Sequence, residues 1–349
     1  MRRLLMGWPG LARFWLAVLT LLGIGAAALQ LTSPTAITSA EPVVHADPMP
    51  VSLDPHAPSA QGITNPSLVT GAGIPEPDPA LLEAVPGLPQ VILPKIAADG
   101  RTPMDVYAAG FNRLVSMPRV GLLVTGIGMN EAESLDAINK LPGAVTLGIS
   151  AYATGMTALL EAVRKAGHEY VLSVPMESRG YPLNDPDNRL ALMTSLSPPE
   201  NLKRLRVFMS RASGYVGVTD AFGPMNGAGL LGLPDQRDPV LAELAQRGLL
   251  FIDARTSRQS PARSSTRSID IVLDDDGSDP TTLDDRLEML IRMARDSGAA
   301  LGLVSVPRPV TLQRTAAWSR TLAARGVVLA PVTGLGLPPA ASELGQLAR

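Results

Sequence analysis

Between Arg119 and about Leu337, short β-branched apolar runs alternate with amphipathic stretches, and no other feature constrains the fold as much. The runs fall at 121–125, 144–149, 170–174, 215–218, 249–252, 269–273, 301–304 and 327–332. Helical spacing occupies 131–140, 154–166, 198–210, 238–246, 282–296 and 310–324. Apolar runs without polar alternation are strands buried on both faces, so helices must cover them and the sheet must be parallel. Start and stop signals agree. Asn130, Ser197-Pro198-Pro199-Glu200 and Asp279-Pro280 open helices, and Gly167, Gly248, Gly298 and Gly326 close them. Seven or eight such units make a (β/α) barrel or a doubly wound sheet, and both place chemistry where the strands end.

The rest of the chain reads differently. Arg2, Arg3 and Arg13 precede an apolar run at 14–29, which lies between the length of a signal peptide and that of a membrane span. Basic residues on the N-terminal side of this run predict export of the chain beyond it. Residues 1–31 are therefore expected to be a signal peptide or signal anchor, with Trp8 and Trp15 at the membrane interface. Nearly half of the 32 prolines lie between 32 and 118, which predicts a tether, with local order at 78–85 and 101–111. A domain is expected over 119–337 and a tail over 338–349. Zero cysteines exclude disulfides and thiolate chemistry, and a net charge of −2 with scattered basic residues excludes a nucleic-acid footprint.

Several stretches carry a family likeness: 141–152, Ala166-Gly167-His168-Glu169-Tyr170, and Val174-Pro175-Met176-Glu177 with Gly180-Tyr181-Pro182. Further matching stretches are 194–198, 214–218, Phe251-Ile252-Asp253-Ala254-Arg255-Thr256 and 270–274. In this order they resemble the divergent polysaccharide deacetylase family. The resemblance implies a distorted (β/α) barrel related to metal-dependent carbohydrate deacetylases. In an active relative a divalent metal would polarise the acetamide and activate water, with a carboxylate as base.

Departures from the family pattern fall on its metal site. Where the resemblance implies a pair of aspartates, the chain has Thr125 and Gly126. Where it implies histidines, the chain has Ser173, Ala221 and Val306. None of these replaces imidazole or carboxylate at a zinc centre. Glu177, Asp220 and Asp253 remain as candidate catalytic carboxylates. A binding pocket is expected from Thr125, Ser173, Glu177, Asp220, Asp253 and Arg255. Asp253 and Arg255 could equally be a structural pair, and Asp274 to Asp276 a solvated turn. His168 is expected to cap a helix on the face opposite the pocket, His45 and His56 to be solvated, and Trp318 to be core. Ser173 and Thr125 lack a nearby base for nucleophilic catalysis, and Gly126-Ile127-Gly128-Met129-Asn130 lacks the spacing of a dinucleotide loop.

The balance falls against catalysis. The first expectation is a degenerate, exported member needing no cofactor, anchored at the inner membrane or secreted, with a periplasmic domain. It would bind envelope glycan or a peptidoglycan-associated protein and no nucleic acid. One alternative is an active deacetylase using Zn or Mn at a rearranged carboxylate site. Another is an envelope scaffold.

Overall fold

The computed structural model describes residues 73–183, 190–256, 265–275 and 279–336, together with Trp15, Leu19 and Thr20. The chain divides into two units, Met1–Gly62 and Ile63–Arg349. The expected N-terminal span and the tail after 337 lie outside the described residues, apart from those three. No helix of the described residues is long and apolar enough to cross a membrane.

The larger unit begins with a hairpin, β1 (Leu82–Val85) and β2 (Leu88–Pro94), and a short helix, α1 (Pro103–Val106). The barrel comes next: β3 (Arg119–Ile127), α2 (Glu131–Lys140), β4 (Thr146–Ser150), α3 (Met156–Lys165), β5 (Tyr170–Ser173), α4 (Pro198–Met209) and β6 (Gly217–Thr219). Then come α5 (Ala228–Leu231), α6 (Pro234–Gln246), β7 (Leu250–Thr256), β8 (Thr266–Ile269), β9 (Ile271–Val272), α7 (Pro280–Ser297), β10 (Ala299–Val304), α8 (Pro309–Ser319) and β11 (Val328–Leu329). The parallel strands run in the order β8-β7-β6-β5-β4-β3-β10-β9, with β11 paired to the start of β3. Only Asp270 separates β8 from β9, so the two ends of this path are joined by one residue. Its backbone N–H donates to the Leu301 carbonyl and its carboxylate accepts from the Leu301 N–H, both within 2.9 Å. The barrel is thereby nearly closed, as the family resemblance implies.

Period-two alternation divides the interior into two cores. On β3, Val120, Leu122 and Val124 pack outward with helix residues such as Ile138, Leu290 and Leu312. Leu123 faces inward with Val171, Ile252, Leu301 and Leu303, a core that contains no residue of the helices α2 to α8. The same inner core holds Leu81, Ala97, Tyr107 and Ala109. Residues 73–118, ahead of the expected domain start, thus supply side chains to the barrel, among them residues of the two stretches, 78–85 and 101–111, where local order is expected. Proline content suggested a tether, but proline is compatible with hairpin edges and first helical turns, and those are its places here: Pro79 and Pro103 open helical turns. Helix ends carry the expected caps. Asn130 accepts from the Glu133 N–H, Glu200 from the Ser197 N–H and Asp279 from the Thr282 N–H, each within 3.1 Å.

Candidate functional site

A cavity of about 270 Å³ opens where the strands end. Gly126, Ser150, Ser173 and Ser305, at or beside the ends of β3, β4, β5 and β10, form its floor. Met129, Phe222, Pro224, Met225, Val306 and Pro307 wall it, and Glu133 stands beside it. Gly126 sits at an irregularity between β3 and β4 with φ at +79°, a backbone region that disfavours any residue with a Cβ. Beneath, Gly148 lies so close that a Cβ there would come within 2.7 Å of Thr125 Cγ2 and 3.0 Å of Ser173 Oγ. The floor is therefore tightly built, with small side chains over a glycine.

Of the six residues expected to form the pocket, Ser173 lines this cavity. Its hydroxyl is buried and has no hydrogen-bond partner among the described residues. Thr125 is buried beside it and donates to the Ser305 carbonyl at 3.0 Å. Glu177 turns away: its carboxylate accepts from the Thr194 N–H and hydroxyl, each at 2.8 Å, and its own carbonyl accepts from Gly229 and Leu230 at the start of α5.

Asp220 and Asp253 lie behind the cavity, fully enclosed. Asp220 accepts from the N–H groups of Ala254 at 2.7 Å and Gly227 at 2.8 Å, which ties the ends of β6 and β7 to the loop before α5. Burial pushes its carboxyl up to about 7, helped by the nearby charge of Asp253. Asp253 receives two N–H bonds from the Arg255 guanidinium, at 2.9 and 2.6 Å, and a third from the Arg255 backbone at 3.0 Å. The guanidinium also donates to the Leu231 carbonyl. This is the structural pair weighed in the sequence.

The acidic turn differs from expectation. Asp274 is buried, not solvated, and accepts from the N–H groups of Ser305 at 2.7 Å and Val306 at 3.0 Å. It fixes the loop after β10 that forms one side of the cavity. Asp275 pairs with Arg286, and Asp276 lies outside the described residues. His168 is fully buried at the opposite end of the barrel, its ring nitrogens 2.8 Å from the Val145 carbonyl and 3.1 Å from that of Ile138 in the last turn of α2. It thus serves a helix C-terminus, though not that of the helix preceding it in sequence. Trp318 is in the core, as expected. His45 and His56 lie outside the described residues.

A divalent metal does not fit the positions where the resemblance implies ligands. Gly126, Ala221 and Val306 bring no donor, Ala221 is buried in the inner core, and the Thr125 hydroxyl is already engaged. Among the described residues no three histidine or acidic side chains converge on a point that could hold an ion. Among the described residues, Glu133 is the one ionisable side chain in the cavity lining. The aromatic contact behind it, Tyr152 edge-on to Phe222 at 5.5 Å and to Phe208 at 5.7 Å, adds another apolar layer. Sequence reasoning missed Met129, Ser150, Phe222, Met225 and Glu133. Their signal was position alone, since each lies at or within a few residues of a strand end.

Residues 122–335 match the family described as divergent polysaccharide deacetylase. The uncharacterized protein ATU2773 from Agrobacterium tumefaciens C58 is similar in structure, with 29% identity, 70% of this chain and 99% of that chain covered, and a TM-score of 0.65. A protein from Enterococcus faecalis V583 named for cellobiose-phosphate cleavage shows 12% identity over 64% of this chain and 100% of its own, with a TM-score of 0.45. Peptidoglycan deacetylase PdaC from Bacillus subtilis, as mutant D285S, shows 16% identity over 68% of this chain and 95% of its own, with a TM-score of 0.36. No protein of curated function matches the sequence. With the family matched over most of the chain and its barrel observed, this protein belongs to the divergent polysaccharide deacetylase family.

Proposed function

We propose that this chain is a non-catalytic member of its family, exported to the cell envelope, whose barrel mouth binds envelope glycan or a peptidoglycan-associated protein. The observation that carries this reading is the fate of the polar groups at the strand ends. The positions implied to hold a metal are Thr125, Gly126, Ser173, Ala221 and Val306, which lack its ligands. The surviving carboxylates are spent on structure: Glu177 on Thr194, Asp220 on two backbone amides, Asp253 on Arg255. A base must reach substrate with a free lone pair, and none of these three lines the cavity. What remains there is a small, mostly apolar pocket with the Glu133 carboxylate at its edge, a surface suited to binding.

Anchorage at the inner membrane through 14–29, or secretion after cleavage, rests on Arg2, Arg3 and Arg13 ahead of the apolar run. No cofactor belongs to this reading. The competing reading, a deacetylase using Zn or Mn with Glu177, Asp220 and Asp253, requires those carboxylates to leave their present partners.

The test is acetate release from N-acetylated peptidoglycan by the full chain supplied with Zn²⁺ or Mn²⁺. The expected result is release no faster than in buffer, together with saturable retention of the protein on peptidoglycan or on one of its associated proteins. Turnover that is lost in Glu177→Ala would establish the deacetylase instead, and absence of any saturable retention would leave an envelope scaffold.

A further inference from the structure

The cavity floored by Ser173 is one of three adjoining depressions across the barrel mouth. On one side a depression of about 330 Å³ runs between α2 and α3, with Gly128 in its wall, and shares Met129 with the cavity. On the other side, a depression of about 320 Å³ shares Gly223, Pro224, Met225, Ser305 and Val306. Each alone is at or near the lower limit of the ~300–1,000 Å³ common for small-molecule sites. A row of small pockets suits an extended polymer that lodges successive groups in them.

The wall chemistry selects among polymers. A pyranose directs hydroxyls around its whole rim, and each one buried without a partner is costly. Met129, Pro224, Met225, Val306 and Pro307 offer such hydroxyls no side-chain partner, and Phe222 is the sole aromatic ring in the lining among the described residues. An apolar side chain meets no such penalty. Yet the floor holds three hydroxyls, those of Ser150, Ser173 and Ser305. That of Ser150 accepts from the Tyr152 N–H at 3.1 Å, and that of Ser173 is buried without a partner among the described residues. An anchor with an apolar body and a polar tip satisfies both walls and floor, and tyrosine is such a side chain.

Charge gives the flanks. Glu131 and Glu133, in the first turn of α2, border the row of depressions, and their carboxylates have no ion-pair partner among the described residues. Resting on the reading of the barrel mouth as a binding site, we infer that its occupant is an extended segment of a partner protein, with a tyrosine seated over Ser173 and a lysine or arginine beside it facing Glu131 and Glu133. Buried aromatic anchors in a central pocket with charges at the rim are the usual distribution of interface energy.

The test uses the full chain in a mild detergent, with ¹³C-methyl methionine and signals assigned through Met129→Leu and Met225→Leu. The probes are five-residue peptides with lysine at both ends and tyrosine, phenylalanine or glycine at the centre. Both aromatic peptides are expected to shift the Met129 and Met225 methyls saturably, the tyrosine peptide binding about 2- to 10-fold tighter than the phenylalanine one and the glycine peptide weakest. Ser173→Ala should erase the tyrosine preference while leaving phenylalanine binding unchanged, which also reports that the variant is folded. Glu133→Lys should weaken all three peptides. Equal affinity for tyrosine and phenylalanine in the unaltered protein would overturn the inference. So would silent peptides alongside an N-acetylglucosamine oligomer that moves the same methyls, although the wider reading of a binding mouth would then stand. Silence from both peptides and glycan would remove that reading as well.

Discussion

The two ends of the barrel treat buried polar groups differently. At the base, Glu169 precedes β5 with no ion-pair partner among the described residues, and its carboxylate accepts from the Ala109 N–H, the Thr146 hydroxyl at 2.8 Å, and the N–H and hydroxyl of Thr333. Those bonds join the N-terminal segment, β4 and the turn after β11. Burial still pushes the Glu169 carboxyl up. At the mouth Glu177, Asp220 and Asp253 are satisfied in the same manner, by backbone amides, a threonine hydroxyl and one guanidinium, and none of the three lines the cavity. The surface facing the open space is largely apolar, with the Glu133 carboxylate at its edge and the buried Ser173 hydroxyl beneath it without a partner among the described residues. An acid at a strand end is thus no sign of chemistry by itself; what matters is whether its lone pairs are already taken.

The contrast can be broken by removing partners in turn. The largest effect is expected from Arg255→Ala, which strands the buried Asp253 carboxylate beside Asp220 and should cost about 3–5 kcal/mol in urea unfolding. A loss below about 1 kcal/mol would mean that the pair is not the keystone of that end. Thr146→Val removes one donor from Glu169 and the acceptor of the Val332 N–H, and should cost about 1–3 kcal/mol.

His168 gives a pH-confined effect. Burial lowers its folded pKa below 6.5, outweighing the two carbonyl contacts, so the unfolded chain binds the proton more readily than the folded one. Its contribution to stability is present above pH 6.5 and is lost as pH falls from there through the lower folded value. In His168→Gln that part of the acid slope should vanish from unfolding curves measured between pH 7 and pH 5. The smallest change is expected from Ser173→Ala, which deletes a hydroxyl without partners and should shift stability by less than about 0.5 kcal/mol, or raise it slightly. A loss as large as that of Thr146→Val would mean that the two ends are built alike.

Much of this was legible in the residues. The strands at 121–125 and 301–304 could be read from β-branched runs because both faces of those strands are buried. α2 begins and ends where Asn130 and the apolar spacing place it. What escaped depends on packing between distant segments. In the proline-rich stretch before 118, the expected local order at 78–85 and 101–111 is present, but no periodicity showed that Leu81, Tyr107 and Ala109 would enter the inner core of the barrel. Residues 269–273 read as one strand, and only closure against Leu301 explains why Asp270 splits them. At the site, the residue types showed that metal ligands were missing. They could not show that Glu177 bonds Thr194 or that Asp274 holds the 305–306 backbone, since both contacts join segments far apart in sequence.

What the barrel mouth can hold is tested most directly by metal content. The full chain, purified and dialysed against buffer with Zn²⁺ and Mn²⁺ and then freed of loosely bound ions, should retain well under one ion per chain by elemental analysis. Retention of one Zn²⁺ or Mn²⁺ per chain, lost in Glu177→Ala, would contradict the account and place a working metal centre at the barrel mouth.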